Sequence, residues 1–327
     1  MINNNRVNSN NSSLYVAGGY PNSVYVSLGS GTNTISYAYN NGIVDTWYGL
    51  GTTIFSTQGN SITNNNNNPS SCTWVAVGSG TNTIAYSNSS NLTPAVWTGL
   101  GTTIFSSSGN GIIWTGTYYI AVGSDSTNTI IYSSNAITWT GLGTTIFSTT
   151  GYGIKWNGFY FIANGLGTNT LAYSKDGTIW TGLGTTIHST SGFNSGSIVT
   201  SNSFTAVNNL SVMGGQSTTN TLASSIDGGI TWTGRGSTIF STQTNAIVYG
   251  SNLWVAVGQG TNSIATSTDG TTWTGRGATI FTSYGKGVAY GNGLWVSVGI
   301  GTNTLATSTD GITWTGKGAI FEIFGSD

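Results

Sequence analysis

The tripeptide Trp-Thr-Gly, or a close variant of it, recurs seven times, at Trp47, Trp97, Trp139, Trp180, Trp232, Trp273 and Trp314. The intervals are 50, 42, 41, 52, 41 and 41 residues, so nearly the whole chain is one repeated unit. A period of roughly 40 residues built from short β-type segments is the pattern of a propeller, in which each repeat is one blade covered on both faces by its neighbours. Seven units predict an all-β fold: a seven-bladed β-propeller of four-stranded antiparallel blades, forming one domain over 1–327. The Asn-rich segment 1–12 reads as a flexible tail.

The repeat from Gly287 to Gly316 is the most regular. Val288-Ala289-Tyr290 reads as a first strand, and Gly291-Asn292-Gly293 as a turn whose residues tolerate positive φ. Leu294 to Val298 reads as a second strand, apolar on both faces, which suits a doubly covered blade. Asn303 to Ser308 gives a third, and Ile312-Thr313-Trp314-Thr315 an outer fourth. Two repeats are less regular. An Asn run at Asn64 to Asn68 falls where a first strand should sit or begin, and about eleven extra residues lie between Ser189 and Thr219. A tryptophan at one position of every repeat reads as packing between blades. Trp74, Trp254 and Trp295 share a slot on the second strand, and Trp114 and Trp156 one on the first.

Charged residues make up 5% of the chain, against roughly 25% in an average globular protein. The net charge of −1 offers no field for phosphate backbones or anionic lipid, so neither nucleic acid nor membrane is expected as a partner. No stretch approaches the ~20 apolar residues of a membrane span, and the start of the chain shows no apolar core of a signal peptide. An intracellular or virion-associated location is therefore expected, and a monomeric propeller. The Asn-run, low-charge, repeat-rich style is similar in composition to proteins of large DNA viruses. With His188 and Cys72 each the sole residue of its type, one chain cannot assemble a His/Cys metal cluster, and neither metal nor cofactor is expected. His188 stands where other repeats have Phe55, Phe105, Phe147, Phe240, Phe281 and Phe321, so it reads as an aromatic replacement that could also mark a local polar site.

Four repeats carry Ser-X-Asp-Gly, or a variant one residue longer, ahead of the Trp. The acids are Asp176, Asp227, Asp269 and Asp310, and the copy at Asp227 reads Ser225-Ile226-Asp227-Gly228-Gly229-Ile230-Thr231-Trp232. A further repeat keeps the frame with Asn135 and Ala136. In such a turn the carboxylate accepts backbone N–H groups, Gly supplies positive φ, and Trp covers the hairpin. The motif resembles the Asp-box, or BNR repeat, of sialidase-like β-propellers. There it is a structural element at the blade periphery, so the resemblance implies the fold and not the activity. Catalysis in that family uses an arginine triad, a Tyr–Glu pair and an acid/base Asp. Here Arg235 and Arg276 share a slot that elsewhere holds Leu50, Leu100, Leu142 and Leu183, and Arg6 lies near the start. Glycoside hydrolysis needs two facing carboxylates. Asp45, Asp176, Asp227, Asp269 and Asp310 all fall in or near outer turns, and the lone glutamate, Glu322, is close to the C-terminal residue. No catalytic residue is assigned, and a degenerate glycoside hydrolase is the least favoured reading.

The connection between second and third strands, most often Gly-Thr-Asn-Thr, recurs in every repeat and predicts a ring of Asn33, Asn82, Asn128, Asn169, Asn220, Asn262 and Asn303. In a propeller these turns share a face with the segments that join consecutive blades. Each Asn can cap its own turn through backbone bonds. Together with His188 they can also form a neutral rim that engages a protein partner or a glycan. The expected function is a non-enzymatic structural or protein-interaction scaffold, with a glycan-binding propeller lectin as the alternative.

Overall fold

Strand Cys72–Ser79 shows how one repeat is held between two others. Trp74 and Ala76 enter a core with Val26, Leu28 and Ile35 of the preceding repeat. Val75 and Val77 enter a separate core with Phe105, Ile112 and Tyr119 of the following one. Successive side chains of a strand point to opposite faces, so an unbroken apolar run is what a strand covered on both sides requires. The same division recurs at Leu253–Gln259. There Trp254 and Ala256 pack with Val212 and Leu222, and Val255 and Val257 with Phe281 and Trp295.

The computed structural model describes residues 7–9, 12–17, 24–39, 47–65, 72–89, 96–188, 198–200 and 210–320. They are all-β, with antiparallel pairing throughout and no helix among the described residues. The chain divides into two compact units, 1–156 with 163–182, and 157–162 with 183–327.

In the second unit, Gln243–Gly250, Leu253–Gln259, Ile264–Ser267 and Thr274–Gly275 pair in sequence as an antiparallel meander. Tyr284–Gly291, Leu294–Ile300, Leu305–Ser308 and Thr315–Gly316 repeat it. In the first unit, Ser108–Trp114, Tyr119–Ser124, Ile130–Ser133 and Thr140–Gly141 do the same. The first repeat has a fifth strand: Val7–Ser9 pairs with Ser12–Ala17, so part of the segment expected as a tail is strand. Consecutive repeats are stitched by single bridges, Ser79 to Ser108 and Ser124 to Thr150 in one unit, Gln259 to Tyr284 in the other.

The strand bounds of the Gly287 to Gly316 repeat differ from expectation: the second strand is Leu294–Ile300, running past Val298, and the third is Leu305–Ser308, starting after Asn303. The outer strand is Thr315–Gly316 and not 312–315, because the backbone N–H groups of Ile312 and Thr313 are drawn to the Asp310 carboxylate. The first strand is Tyr284–Gly291 and not 288–290, because a bulge between Gly285 and Gly287 lets pairing resume beyond it. The same bulge falls at Asn60, Asn110 and Asn245. Their amide nitrogens donate to the carbonyls of Gly109, Gly151 and Gly285 in the next repeat, at 2.8, 2.9 and 2.7 Å. Of the run Asn64 to Asn68, only Asn64 belongs to the first strand, Gln58–Asn64; residues 66–68 lie outside those described.

The tryptophans fall into two kinds. Trp74, Trp254 and Trp295 are fully enclosed, at 0, 1 and 0% exposure. Burying an aromatic of ~150–250 Å² contributes up to about 4–6 kcal/mol at ~25 cal/mol per Å². Those ahead of the outer strand close their own hairpins, the indole N–H of Trp180, Trp232, Trp273 and Trp314 donating to the carbonyl of Gly177, Gly229, Gly270 and Gly311, while Trp97 lies in a core and Trp139, Trp273 and Trp314 pack against theirs. Trp47 and Trp156 correct the packing expectation, being 43% and 41% exposed.

Candidate binding face

Four of the predicted rim asparagines, Asn82, Asn220, Asn262 and Asn303, each join three pieces of chain. The Asn82 amide oxygen accepts from Gly101 N–H at 2.8 Å, and its nitrogen donates to the Ile54 carbonyl at 2.6 Å. Asn262 does the same with Gly277 and Ile239, at 2.8 and 2.7 Å, and Asn303 with Gly318 and Ile280, at 2.9 and 2.8 Å. Asn220 bonds Gly236 and Ile187, at 3.0 and 3.1 Å. Asn33 accepts from Gly51, Asn128 from Gly143, and Asn169 donates to Ile146. The side chains lie flat on the outer strand. A Cβ at Gly99, Gly275 or Gly316 would come within 2.1–2.3 Å of an Asn amide oxygen. These glycines are therefore required by the close approach of the amide.

Within each unit these bonds draw the second-to-third-strand turns and the segments joining repeats into the same layer. The next residue reinforces it: the hydroxyls of Thr34, Thr83, Thr129 and Thr221 donate to the carbonyls of Phe55, Phe105, Phe147 and Phe240, at 2.9, 2.8, 2.7 and 2.8 Å. The amides are thus engaged with backbone. Apart from Asn33, which is itself exposed, exposure belongs to the threonine just before each asparagine, at 32, 81, 127, 168, 219, 261 and 302. The repeated Thr-Asn pair carried that signal, because neighbours on an extended turn point opposite ways.

His188 is fully buried in the slot that holds Phe55, Phe105, Phe147, Phe240 and Phe281 elsewhere, each at 0% exposure. Those rings lie over a glycine of the second strand. A Cβ at Gly78, Gly123 or Gly258 would meet Phe55, Phe105 or Phe240 within 3 Å, and Gly215 is the counterpart under His188. Nδ1 lies 2.9 Å from the Asn220 carbonyl, so it carries the proton and donates. Nε2 is enclosed, with no hydrogen-bond partner among the described residues. Burial pulls the imidazole down to about 4 against a smaller upward pull from the Asn220 carbonyl. At neutral pH it is an uncharged ring in an enclosed slot.

The turn carboxylates are equally committed. Asp269 accepts from the backbone of Thr271 and Thr272 and from the Ser267 hydroxyl, at 2.8, 2.7 and 3.0 Å, and Asp310 accepts in the same way from Ile312, Thr313 and Ser308. Asp176 and Asp227 repeat the arrangement. Backbone bonds from Thr313 and Ile312 hold Asp310 far below the usual carboxylate range, and one from Ile179 lowers Asp176. Burial raises Asp269 and Asp227, but their hydrogen bonds together outweigh it, and both are lowered. Asp125 caps the Thr127 and Asn128 amides in its own turn. Arg235 and Arg276 fold back on Ser224 and Thr266, apart from any carboxylate pair. No group of three or more His, Cys, Asp or Glu gathers among the described residues. Asp45, Glu322, Asp327 and Arg6 lie outside them, as does Phe321.

The chain matches no protein-family model and no curated protein sequence. Solved structures do resemble it. Virginiamycin B lyase from Staphylococcus aureus, solved with quinupristin, is 11% identical, with a TM-score of 0.61 over 89% of this chain and 94% of its own. The computationally designed protein Ika8 is 12% identical, with a TM-score of 0.58 over 92% and 85%. YCF48, solved bound to D1 peptide, is 14% identical, with a TM-score of 0.51 over 79% and 81%. The lyase and YCF48 are β-propellers, and this chain has a fold of that class. Identities this low carry the fold alone. The likeness to Asp-box repeats rests on the turn residues themselves, since no family model or related sequence supports it or the viral resemblance. No helix among the described residues is long and apolar enough to cross a membrane.

Proposed function

We propose that the chain is a seven-bladed propeller of four-stranded blades that acts as a non-enzymatic protein-interaction scaffold. The observation that supports it is where the reactive side chains go. Asp125, Asp176, Asp227, Asp269 and Asp310 spend their oxygens on turn amides, and His188 is enclosed and uncharged. Catalysis by general acid and base needs such groups within hydrogen-bond reach of a substrate. What the repeat does present is a neutral layer edged by exposed threonines, suited to hydrogen bonding without charge. YCF48, a propeller solved with a peptide bound, supports this reading.

The test is affinity capture with the intact chain from its native source, followed by titration of the purified partner. Saturable binding of one defined protein is the expected result. Selective binding on a glycan array with no protein partner would replace this reading with the lectin. Turnover of a glycoside by the purified chain would replace it with the hydrolase.

A further inference from the structure

One pair of positions divides the repeats into two chemical sets. In the first four, the third strand carries Tyr37, Tyr86, Tyr132 or Tyr173, and the residue after the outer strand is Leu50, Leu100, Leu142 or Leu183. In the last three the pair becomes Ser224 with Arg235, Thr266 with Arg276, and Thr307 with Lys317. The backbone is the same in both sets. Leu50 and Leu100 donate to the carbonyls of Ile35 and Ile84, just as Arg235, Arg276 and Lys317 donate to those of Leu222, Ile264 and Leu305. Tyr37 with Leu50, and Tyr86 with Leu100, pack on the cores. Replacing Tyr by a small hydroxyl residue clears room for a cation and supplies an oxygen to orient it. Both changes occur together in three consecutive repeats of the second unit.

The geometry is specific. Arg235 donates through Nε and Nη2 to the Ser224 hydroxyl at 2.8 and 2.6 Å, and Arg276 to Thr266 at 3.0 and 2.7 Å. A guanidinium has five N–H donors in a rigid fork. Engaging the Nε/Nη2 edge fixes its plane and leaves the Nη1 donors for a second acceptor. Arg276 and Lys317 are exposed and Arg235 half-buried. Among the described residues the acids of these repeats are engaged elsewhere: hydrogen bonds and burial account for the shifts of Asp227, Asp269 and Asp310. A cation there merely to blunt an edge strand would need no orienting hydroxyl, and the first four repeats keep leucine at an equally short outer strand.

We infer that Arg235, Arg276 and Lys317 form a docking row for an acidic segment of a protein partner. Two parallel N–H groups match a planar carboxylate. Three cations on a chain of net charge −1 are too few to hold a nucleic acid, whose affinity grows with each phosphate neutralised. This deepens the interaction reading above and rests on it.

The test uses the full chain and a fluorescein-labelled deca-glutamate peptide, followed by anisotropy. At about 50 mM salt binding should saturate, and at about 300 mM it should weaken roughly tenfold or more as screening tightens. R235Q/R276Q/K317Q should weaken it roughly tenfold with an unchanged circular-dichroism melt. R235K/R276K should lose severalfold despite unchanged charge, because lysine lacks the fork. Should the triple variant not fold, K317Q alone carries the test, with a severalfold loss expected. No saturable binding, or an unaffected triple variant, overturns the proposal. Tighter binding to a heparin fragment or a DNA duplex overturns it in favour of those polyanions. A natural partner that the triple variant captures as well as wild type sinks the row and leaves the scaffold reading standing. Glutamate binding by a chain that captures no protein does the reverse.

Discussion

Thr244 fills the space beside Gly214 that a valine fills in the neighbouring repeats. A Cβ at Gly214 would meet Thr244 Cγ2 at 2.5 Å and its Cβ at 2.6 Å. Elsewhere the sizes are reversed: Val77 faces Gly109, Val122 faces Gly151 and Val257 faces Gly285, each at 2.7 Å from the position a Cβ would take. The contact holds one side chain, contributed from either repeat.

Gly214→Val should therefore destabilise by about 1–3 kcal/mol through overpacking. Adding Thr244→Gly, which restores the arrangement of the other repeats, should recover most of the loss. The double-mutant coupling should be about 1–3 kcal/mol by chemical denaturation. Additive losses would mean that the two positions do not share one space.

Two glycines, Gly270 in the turn before an outer strand and Gly277 after that strand, separate backbone strain from crowding. Gly270 and Gly277 both have positive φ, 68° and 76°. A Cβ at Gly270 would also meet Leu210 Cδ2 at 2.7 Å and Val212 Cγ2 at 3.0 Å, whereas nothing lies within 4 Å of Gly277. Gly277→Ala should cost about 1–2 kcal/mol, the price of a left-handed alanine. Gly270→Ala should cost about 1–3 kcal/mol more, for the added crowding. Equal costs in a urea titration would remove the packing contribution.

Much of this was legible from residue types. The doubly apolar second strand, the turn with Asp269 and Trp273, and the replacement of phenylalanine by His188 follow from patterns that one repeat displays. The rest depended on relations between repeats. That Asn82 spans Ile54 and Gly101 cannot be read from Gly-Thr-Asn-Thr, because its partners are backbone groups 28 and 19 residues away. Nor can the bulge at Asn245, whose amide finds a carbonyl 40 residues on. The outer strand was placed too early because side-chain capture by Asp310 competes with the sheet for the same amides, and the propensity of Ile312 and Thr313 points the other way.

Asn135 shows that the turn does not need a charge. Its amide oxygen accepts from the backbone of Ile137 and Thr138 at 2.9 and 2.8 Å, the role Asp269 plays toward Thr271 and Thr272. Asp269→Asn, which keeps the acceptor and loses only the charge, should cost less at neutral pH than Asp269→Ala, which should cost about 1–2 kcal/mol in lost bonds. The lowered carboxylate stabilises the fold above the ordinary Asp value of about 3.9, and that contribution fades as pH falls below it. Melting of wild type should decline more steeply below about pH 4 than that of the Asn variant. Parallel acid limbs would show that Asp269 does not carry the effect.

His188 should impose a second pH dependence, of opposite origin. Its imidazole sits at about 4 when folded, against an ordinary value of about 6.5, so between these values the unfolded chain binds a proton that the folded chain refuses. The group therefore costs nothing above about pH 6.5, and stability drops as pH falls from there toward 4, after which the loss levels off. A difference of about 2.5 pH units at ~1.36 kcal/mol each sets the loss near 3 kcal/mol. His188→Phe restores the residue found in the other repeats, above the Gly215 backbone, and contains no titrating group. It should match or exceed wild-type stability at pH 8 and hold a flat profile down to about pH 4.5, where wild type has already weakened. Denaturant midpoints measured across this range decide it: if the two profiles run parallel, the enclosed imidazole is not what titrates.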